Sequence, residues 1–125
     1  MSEAYIIDSM EQSPDWTLNQ TEIVNELKQR WEGIEVKENV SDTYIVRWSV
    51  KVEGYPILGG VQSDYHTLTI DGGPIDTIAE FAIWYRSLVP EQYPLFLYKG
   101  STFDRPIKLS LTTSKDELVS TLTNY

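Results

Sequence analysis

The 125-residue sequence has no cysteine, a single histidine and no long apolar run. The absence of cysteine excludes disulfide bonds, thiolate metal ligands and a cysteine nucleophile. One histidine leaves little scope for a nucleophile–base pair. Nowhere do about 18 apolar residues follow one another, and residues 1–13 hold neither a basic nor a long apolar segment. We therefore expect a cytoplasmic protein without a membrane-spanning helix.

The signature motifs of common enzymes are also missing. There is no G-x-S-x-G, H-E-x-x-H, P-loop or G-x-G-x-x-G pattern. The pairs Gly59-Gly60 and Gly72-Gly73 are typical of turns, because they lack the Lys and Ser/Thr of a phosphate-binding loop. The sequence thus predicts no cofactor and favours a non-enzymatic protein.

The composition is that of an ordinary folded domain, with 41% hydrophobic and 23% charged residues, and the length predicts one domain over residues 1–125. The net charge is −9, and residues 1–42 carry ten acidic but three basic side chains. This charge repels nucleic-acid backbones and anionic membranes, and it attracts a basic protein partner. The simpler alternative is a solvated acidic face that keeps the protein soluble.

Residues 74–90, PIDTIAEFAIWYRSLVP, predict a helix that is apolar on nearly every side and therefore lies in the middle of the fold. Its apolar residues recur at helical spacing: Ile75, Ile78, Ala79, Phe81, Ala82, Trp84, Tyr85, Leu88 and Val89. Thr77 and Glu80 predict a capping box, and Pro90 predicts the end, which places the helix over 77–89.

Two more helices are predicted, one over 21–32 with Asn19 as N-cap and a short one after Ser114. The clearest strand is 44–52, since alternate residues are apolar and point to one face. These residues are Tyr44, Val46, Trp48, Val50 and Val52. We expect helices 21–32 and 77–89 to lie side by side on that face.

Shorter strands are predicted over five further segments: 4–8, 34–37, 65–71, 94–98 and 107–111. The resulting order is βαβββαββα. It predicts an α+β fold, with an antiparallel sheet of five to six strands and two or three helices packed on one face. Residues 54–64, GYPILGGVQSD, fit either a hairpin tip or a longer loop.

The predicted partner-binding residues are Tyr55, Ile57, Leu58 and Tyr65. Soluble monomers rarely expose contiguous apolar side chains, and aromatic residues are enriched in interface cores. One alternative is that the segment folds back and buries Ile57 and Leu58. Another is that the segment forms a homodimer.

Asp71, Asp76 and Glu80 are the candidate metal ligands, with the only histidine, His66, on the preceding strand. Asp76 and Glu80 are one helical turn apart, and carboxylates are the oxygen ligands that divalent cations prefer. The helix dipole also favours acidic residues at a helix start, and His66 fits a hydrogen-bonded core position. The alternative function is therefore a small enzyme or divalent-metal-binding protein using this acidic cluster.

Residues 79–90, AEFAIWYRSLVP, resemble a segment of small uncharacterised bacterial proteins, cyanobacterial ones among them, for which no activity is known. The overall profile, small, acidic, cysteine-free and α+β, is similar to that of bacterial immunity proteins, which neutralise toxins by binding them. The resemblance implies a bacterial protein-interaction module, either an immunity-type inhibitor or an adaptor. It carries no functional residues over to this chain.

Overall fold

The computed structural model describes residues 4–9, 16–72, 74–99 and 105–124. In chain order, its elements are β1 (Tyr5–Asp8), α1 (Gln20–Arg30), β2 (Glu35–Glu38), β3 (Tyr44–Val52), β4 (Tyr55–Gln62), β5 (Leu68–Asp71), α2 (Ile75–Leu88), β6 (Leu95–Lys99), β7 (Ile107–Leu109) and α3 (Lys115–Thr123). Within these ranges, seven strands and three helices confirm the predicted α+β class.

The strands form one antiparallel sheet in the order β2-β3-β4-β5-β1-β6-β7. The first strand, β1, lies inside the sheet, where Ile7 stands opposite Leu68 of β5 and Leu97 of β6. All three of these side chains are fully buried. Among the strands that the structure describes, β2 and β7 lie at the edges of the sheet.

The central helix α2 is buried as the sequence predicts, with Phe81 and Trp84 closed to solvent. Trp31, at the end of α1, stacks on Phe81 with ring centroids 4.0 Å apart. Phe81 in turn stacks on Trp48 of β3 at 5.8 Å. Helix α3 also packs against α2. The helices thus cover one side of the sheet, which we call the core face.

The predicted capping box at the start of α2 is wrong. The helix begins at Ile75 with Pro74 as its N-cap, and no side chain caps it. Proline is compatible with a helix start because its φ is fixed and it has no N–H to satisfy. Thr77 therefore lies buried within the first turn, and Glu80 binds Lys115 at 2.7 Å.

The caps of the other two helices are confirmed. The side-chain oxygen of Asn19 accepts a hydrogen bond from the backbone N–H of Glu22 at 2.9 Å. Ser114 accepts one from the backbone N–H of Glu117 at 3.1 Å. Both side chains satisfy an N–H group that has no partner inside its helix.

Residues 55–62, predicted to lie in a hairpin tip or loop, instead form strand β4 between β3 and β5. The turn that precedes this strand is Glu53-Gly54, and both residues have positive φ, 53° and 83°, as a tight two-residue hairpin requires. Gly59 lies under the Trp48 ring, where a Cβ would come within 2.3 Å of ring carbons. Glycine therefore permits close contact between strand and ring.

The predicted core face of β3 needs one correction. Val46, Trp48 and Val50 are buried, but a β-bulge interrupts the register between Tyr44 and Val46. The extra residue turns Tyr44 to the opposite face. There the Tyr44 ring centroid lies 4.3 Å from the guanidinium carbon of Arg47.

Candidate interaction surface

We call the face of the sheet opposite the core face the open face, and two rows of side chains on it cross at least four strands each. Residues directly opposite one another on neighbouring strands share a face. The first row, which we call the Leu58 row, runs across β2 to β5 through Glu35, Ser49, Leu58 and Asp71. The second row runs through Lys37, Arg47, Gly60, Thr69, Ile6 and Tyr98.

Leu58 is a large apolar residue exposed on the open face, with a relative exposure of 46% although β4 lies well inside the sheet. It lies beside a depression of about 170 Å³ that is also lined by Glu35, Arg47 and Ser49. Asp71 is one strand away and Glu35 two strands away, which corresponds to about 5 and 10 Å between backbones. Leu58 thus lies between two exposed carboxylates.

The four predicted contact residues do not form one patch. Tyr55 is 58% exposed and begins β4, whereas Tyr65 lies beyond the other end of this eight-residue strand. A strand of that length spans about 23 Å, too far for the two rings to share a contact. Ile57 is fully buried and therefore does not contribute to an exposed surface. Strand alternation places Ile57 on the core face and its neighbour Leu58 on the open face.

The aromatic residues of the open face are tied to polar neighbours. The hydroxyl of Thr69 donates a hydrogen bond to that of Tyr44 at 3.4 Å. The hydroxyl of Tyr98 donates one to the Asp8 carboxylate at 3.0 Å. Burial, together with the negative charge of Asp8, raises the pKa of Tyr98 to about 12. This hydroxyl therefore stays protonated at neutral pH and serves as a donor.

His66 lies in the turn before β5, since that strand begins at Leu68 and not at residue 65 as predicted. Its side chain is 13% exposed and its ring packs edge-on against Trp16 at 5.7 Å. The Tyr85 hydroxyl donates to the backbone oxygen of His66 at 2.6 Å, and burial raises the pKa of Tyr85. His66 is thus held in place by packing and by its own backbone.

Asp64 organises the same turn. Its Oδ1 accepts hydrogen bonds from the backbone N–H groups of His66 and Thr67, both at 3.0 Å. Its Oδ2 accepts one from the Thr67 hydroxyl at 2.7 Å. Burial raises the pKa of Asp64, but these hydrogen bonds stabilise the carboxylate more strongly, so its pKa lies below the usual range.

Arg86 is a buried charge that the sequence pattern does not reveal, because it occupies one position in an apolar helix. It is 4% exposed and donates to three backbone oxygens: those of Tyr93 at 2.8 Å, Val89 at 3.1 Å and Pro90 at 2.7 Å. These carbonyls follow the end of α2, where a cation is favoured by the helix dipole. Arg86 therefore fixes the connection from α2 to β6.

The acidic cluster does not assemble as a metal site. Asp71 lies on the open face, Asp76 is exposed in the first turn of α2, and Glu80 forms an ion pair with Lys115 of α3. Among the residues that the structure describes, no three His, Cys, Asp or Glu side chains are grouped so that they could hold a metal ion. This geometry lends no support to the metal-binding alternative.

Compared with protein families, with curated proteins and with solved structures, the chain matches none. In the described residues, no helix is both long and apolar enough to cross a membrane.

Proposed function

We propose that this protein is a non-enzymatic interaction module, an immunity-type inhibitor or adaptor, that binds a basic protein through the Leu58 row. One observation carries the proposal: Leu58, on a strand inside the sheet, has a relative exposure of 46%. Carboxylates occupy both ends of its row, at Glu35 and Asp71. A bacterial origin of the protein belongs to the same proposal.

The arrangement suits a partner that presents an apolar group between basic ones. Binding energy in protein interfaces concentrates in a few well-packed apolar contacts surrounded by polar residues. Leu58 supplies such a contact beside the depression of about 170 Å³. Lys or Arg side chains on the partner would lie over Glu35 and Asp71 and fix the register of the complex.

The net charge supports the choice of a basic partner. A charge of −9 on 125 residues attracts cationic surfaces over roughly the Debye length, about 8 Å at physiological salt. Steering of this kind accelerates association, and added salt screens it. The affinity is therefore expected to fall as the salt concentration rises.

The experiment uses the immobilised protein to capture a partner from its native lysate, followed by titration with the purified partner. Leu58→Ala is expected to weaken binding about tenfold, because it removes roughly half of a leucine's burial energy from the interface. Leu111→Ala is the matched control, since Leu111 is 51% exposed but lies outside the sheet.

Two results would contradict parts of the proposal. An affinity that is indifferent to salt would rule out electrostatic steering. Equal losses from the two leucine variants would rule out the Leu58 row as the contact.

A further inference from the structure

The edge strand β2 has one side of its backbone free for pairing. Within the described residues, β2 pairs with β3 and with no other strand. An edge strand presents a row of N–H and C=O groups that can pair with another strand. Its side chains Glu35, Lys37 and Glu38 are exposed, and Val36 between them is half-buried.

The charges of this edge are unbalanced within one molecule. Lys37 stands directly opposite Arg47 of β3, and both lie on the open face. Like charges in this position destabilise a strand pair. Among the described residues, the close side-chain contacts between acidic and basic residues are Asp64 with the His66 ring at 3.5 Å and Glu80 with Lys115 at 2.7 Å, and neither involves Lys37 or Arg47. A carboxylate on the outer side of Lys37 would relieve this repulsion.

We propose that two copies of the chain pair through their β2 strands, antiparallel, about a two-fold axis at Val36. In this register Val36 stands opposite its counterpart, and Glu35 of each copy stands opposite Lys37 of the other. The dimer thus contains two Glu35–Lys37 pairs, each between the two copies. Opposite charges on directly facing residues stabilise an antiparallel pair.

The neighbouring registers are unfavourable. Moving the axis by one residue to Lys37 places this lysine opposite its counterpart, and moving it to Glu35 places that glutamate opposite its counterpart. Both shifts set like charges against each other. The sequence Glu35-Val36-Lys37 is therefore self-complementary in one register.

The dimer would form one continuous sheet, with fourteen strands when the seven described strands of each copy are counted. Because the axis is perpendicular to the sheet, the helices of both copies lie on the same side. Both Leu58 rows remain on the open face. The inference does not depend on the proposed function, although Glu35 belongs to both: in the dimer this carboxylate faces Lys37 of the other copy at the edge of the sheet.

Sedimentation velocity of the full chain over a wide concentration series tests this arrangement. The wild-type chain is expected to dimerise. Glu35→Lys and Lys37→Glu are each expected to weaken dimerisation at least about tenfold, because each turns both intermolecular pairs into like-charge pairs. The double variant restores opposite charges, and so does an equimolar mixture of the two single variants, which should form a heterodimer.

Lys108→Glu is the matched control for Lys37→Glu, because Lys108 is an exposed lysine on the other edge strand, β7. It makes the same change in net charge and should leave dimerisation unchanged. A wild-type chain that stays monomeric would overturn the proposal. So would a control that weakens the dimer equally, a double variant that fails to restore it, or a dimer that Tyr55→Ala dissociates while the charge variants have no effect.

Discussion

Adding one methyl group at Gly59 tests whether residues 55–62 form an interior strand, on which the proposed surface depends. In Gly59→Ala the new Cβ would come within 2.3 Å of Trp48 ring carbons. The ring cannot move aside easily, because it is 2% exposed and stacks on Phe81 with centroids 5.8 Å apart. If residues 55–62 were a solvent-exposed hairpin tip, the same methyl group would meet nothing.

The expected cost follows from two opposing effects. Inserting a methyl group into a packed core costs about 1–3 kcal/mol. Alanine gains back about 0.5–1 kcal/mol over glycine, because it restricts the unfolded chain. The net destabilisation of Gly59→Ala is therefore up to about 2.5 kcal/mol, and each kcal/mol corresponds to about 4 °C in Tm for a domain of this size.

The adjacent glycine provides the control. A Cβ at Gly60 would come within 2.8 Å of Tyr44 and 3.0 Å of Arg47, but both side chains lie half-buried on the open face and are less enclosed than the Trp48 ring. Gly60→Ala should cost less than about 1 kcal/mol.

Urea unfolding followed by tryptophan fluorescence measures the destabilisation caused by Gly59→Ala and by Gly60→Ala. In a Trp48→Leu background, the cost of Gly59→Ala should fall, as a double-mutant cycle would show. Equal costs at the two glycines, or a stabilised Gly59→Ala, would refute the packing argument.

Three further predictions concern residues away from this contact. Arg86→Met should destabilise the protein by at least about 3 kcal/mol in urea unfolding, because three backbone oxygens lose their donor. An unchanged midpoint of urea unfolding would contradict the stabilising role of these hydrogen bonds. Asp64→Asn should cost about 1 kcal/mol near neutral pH. Since the pKa of Asp64 is lowered in the folded state, the extra stability of the wild type over Asp64→Asn is present above pH 3.8 and is lost as the pH falls through the folded pKa. A stability difference that does not change with pH would contradict this. Titration with Mg²⁺, Mn²⁺ or Ca²⁺ should produce neither heat nor a thermal shift. Either signal would support the alternative in which Asp71, Asp76 and Glu80 bind a metal ion.

Local signals in the sequence predict those parts of the fold that local chemistry determines. Asn19 and Ser114 cap their helices because a short polar side chain followed by a glutamate satisfies the first N–H groups. The helix that contains Phe81 and Trp84 lies in the middle of the fold because apolar residues cover more than one of its faces. Each of these features depends on residues within about one or two turns of one another.

Features that depend on distant packing escaped prediction. Gly59-Gly60 is typical of a turn, and the pair belongs to a strand because rings from β3 cover it on both faces. The bulge that turns Tyr44 outward leaves the alternation of β3 intact in sequence. The sequence predicts Leu58 and Ile57 as contact residues together, but only Leu58 is exposed. Which face of a strand is buried depends on the neighbouring strands, and these are not apparent from the local sequence.

The position of β1 has a consequence for the way the molecule assembles during synthesis. Tyr5 pairs with Ile70 of β5 on one side and with Lys99 of β6 on the other. Strand β1 can therefore pair only after these two later segments have been synthesised. Contacts between residues so far apart in the chain slow folding, because a large loop must close first. While the ribosome is still producing the residues before β6, one flank of β1 has no partner. The nascent chain then presents the apolar run Tyr5-Ile6-Ile7 to any chaperone or aggregating neighbour, and β1 is enclosed on both sides only after β6 has been made.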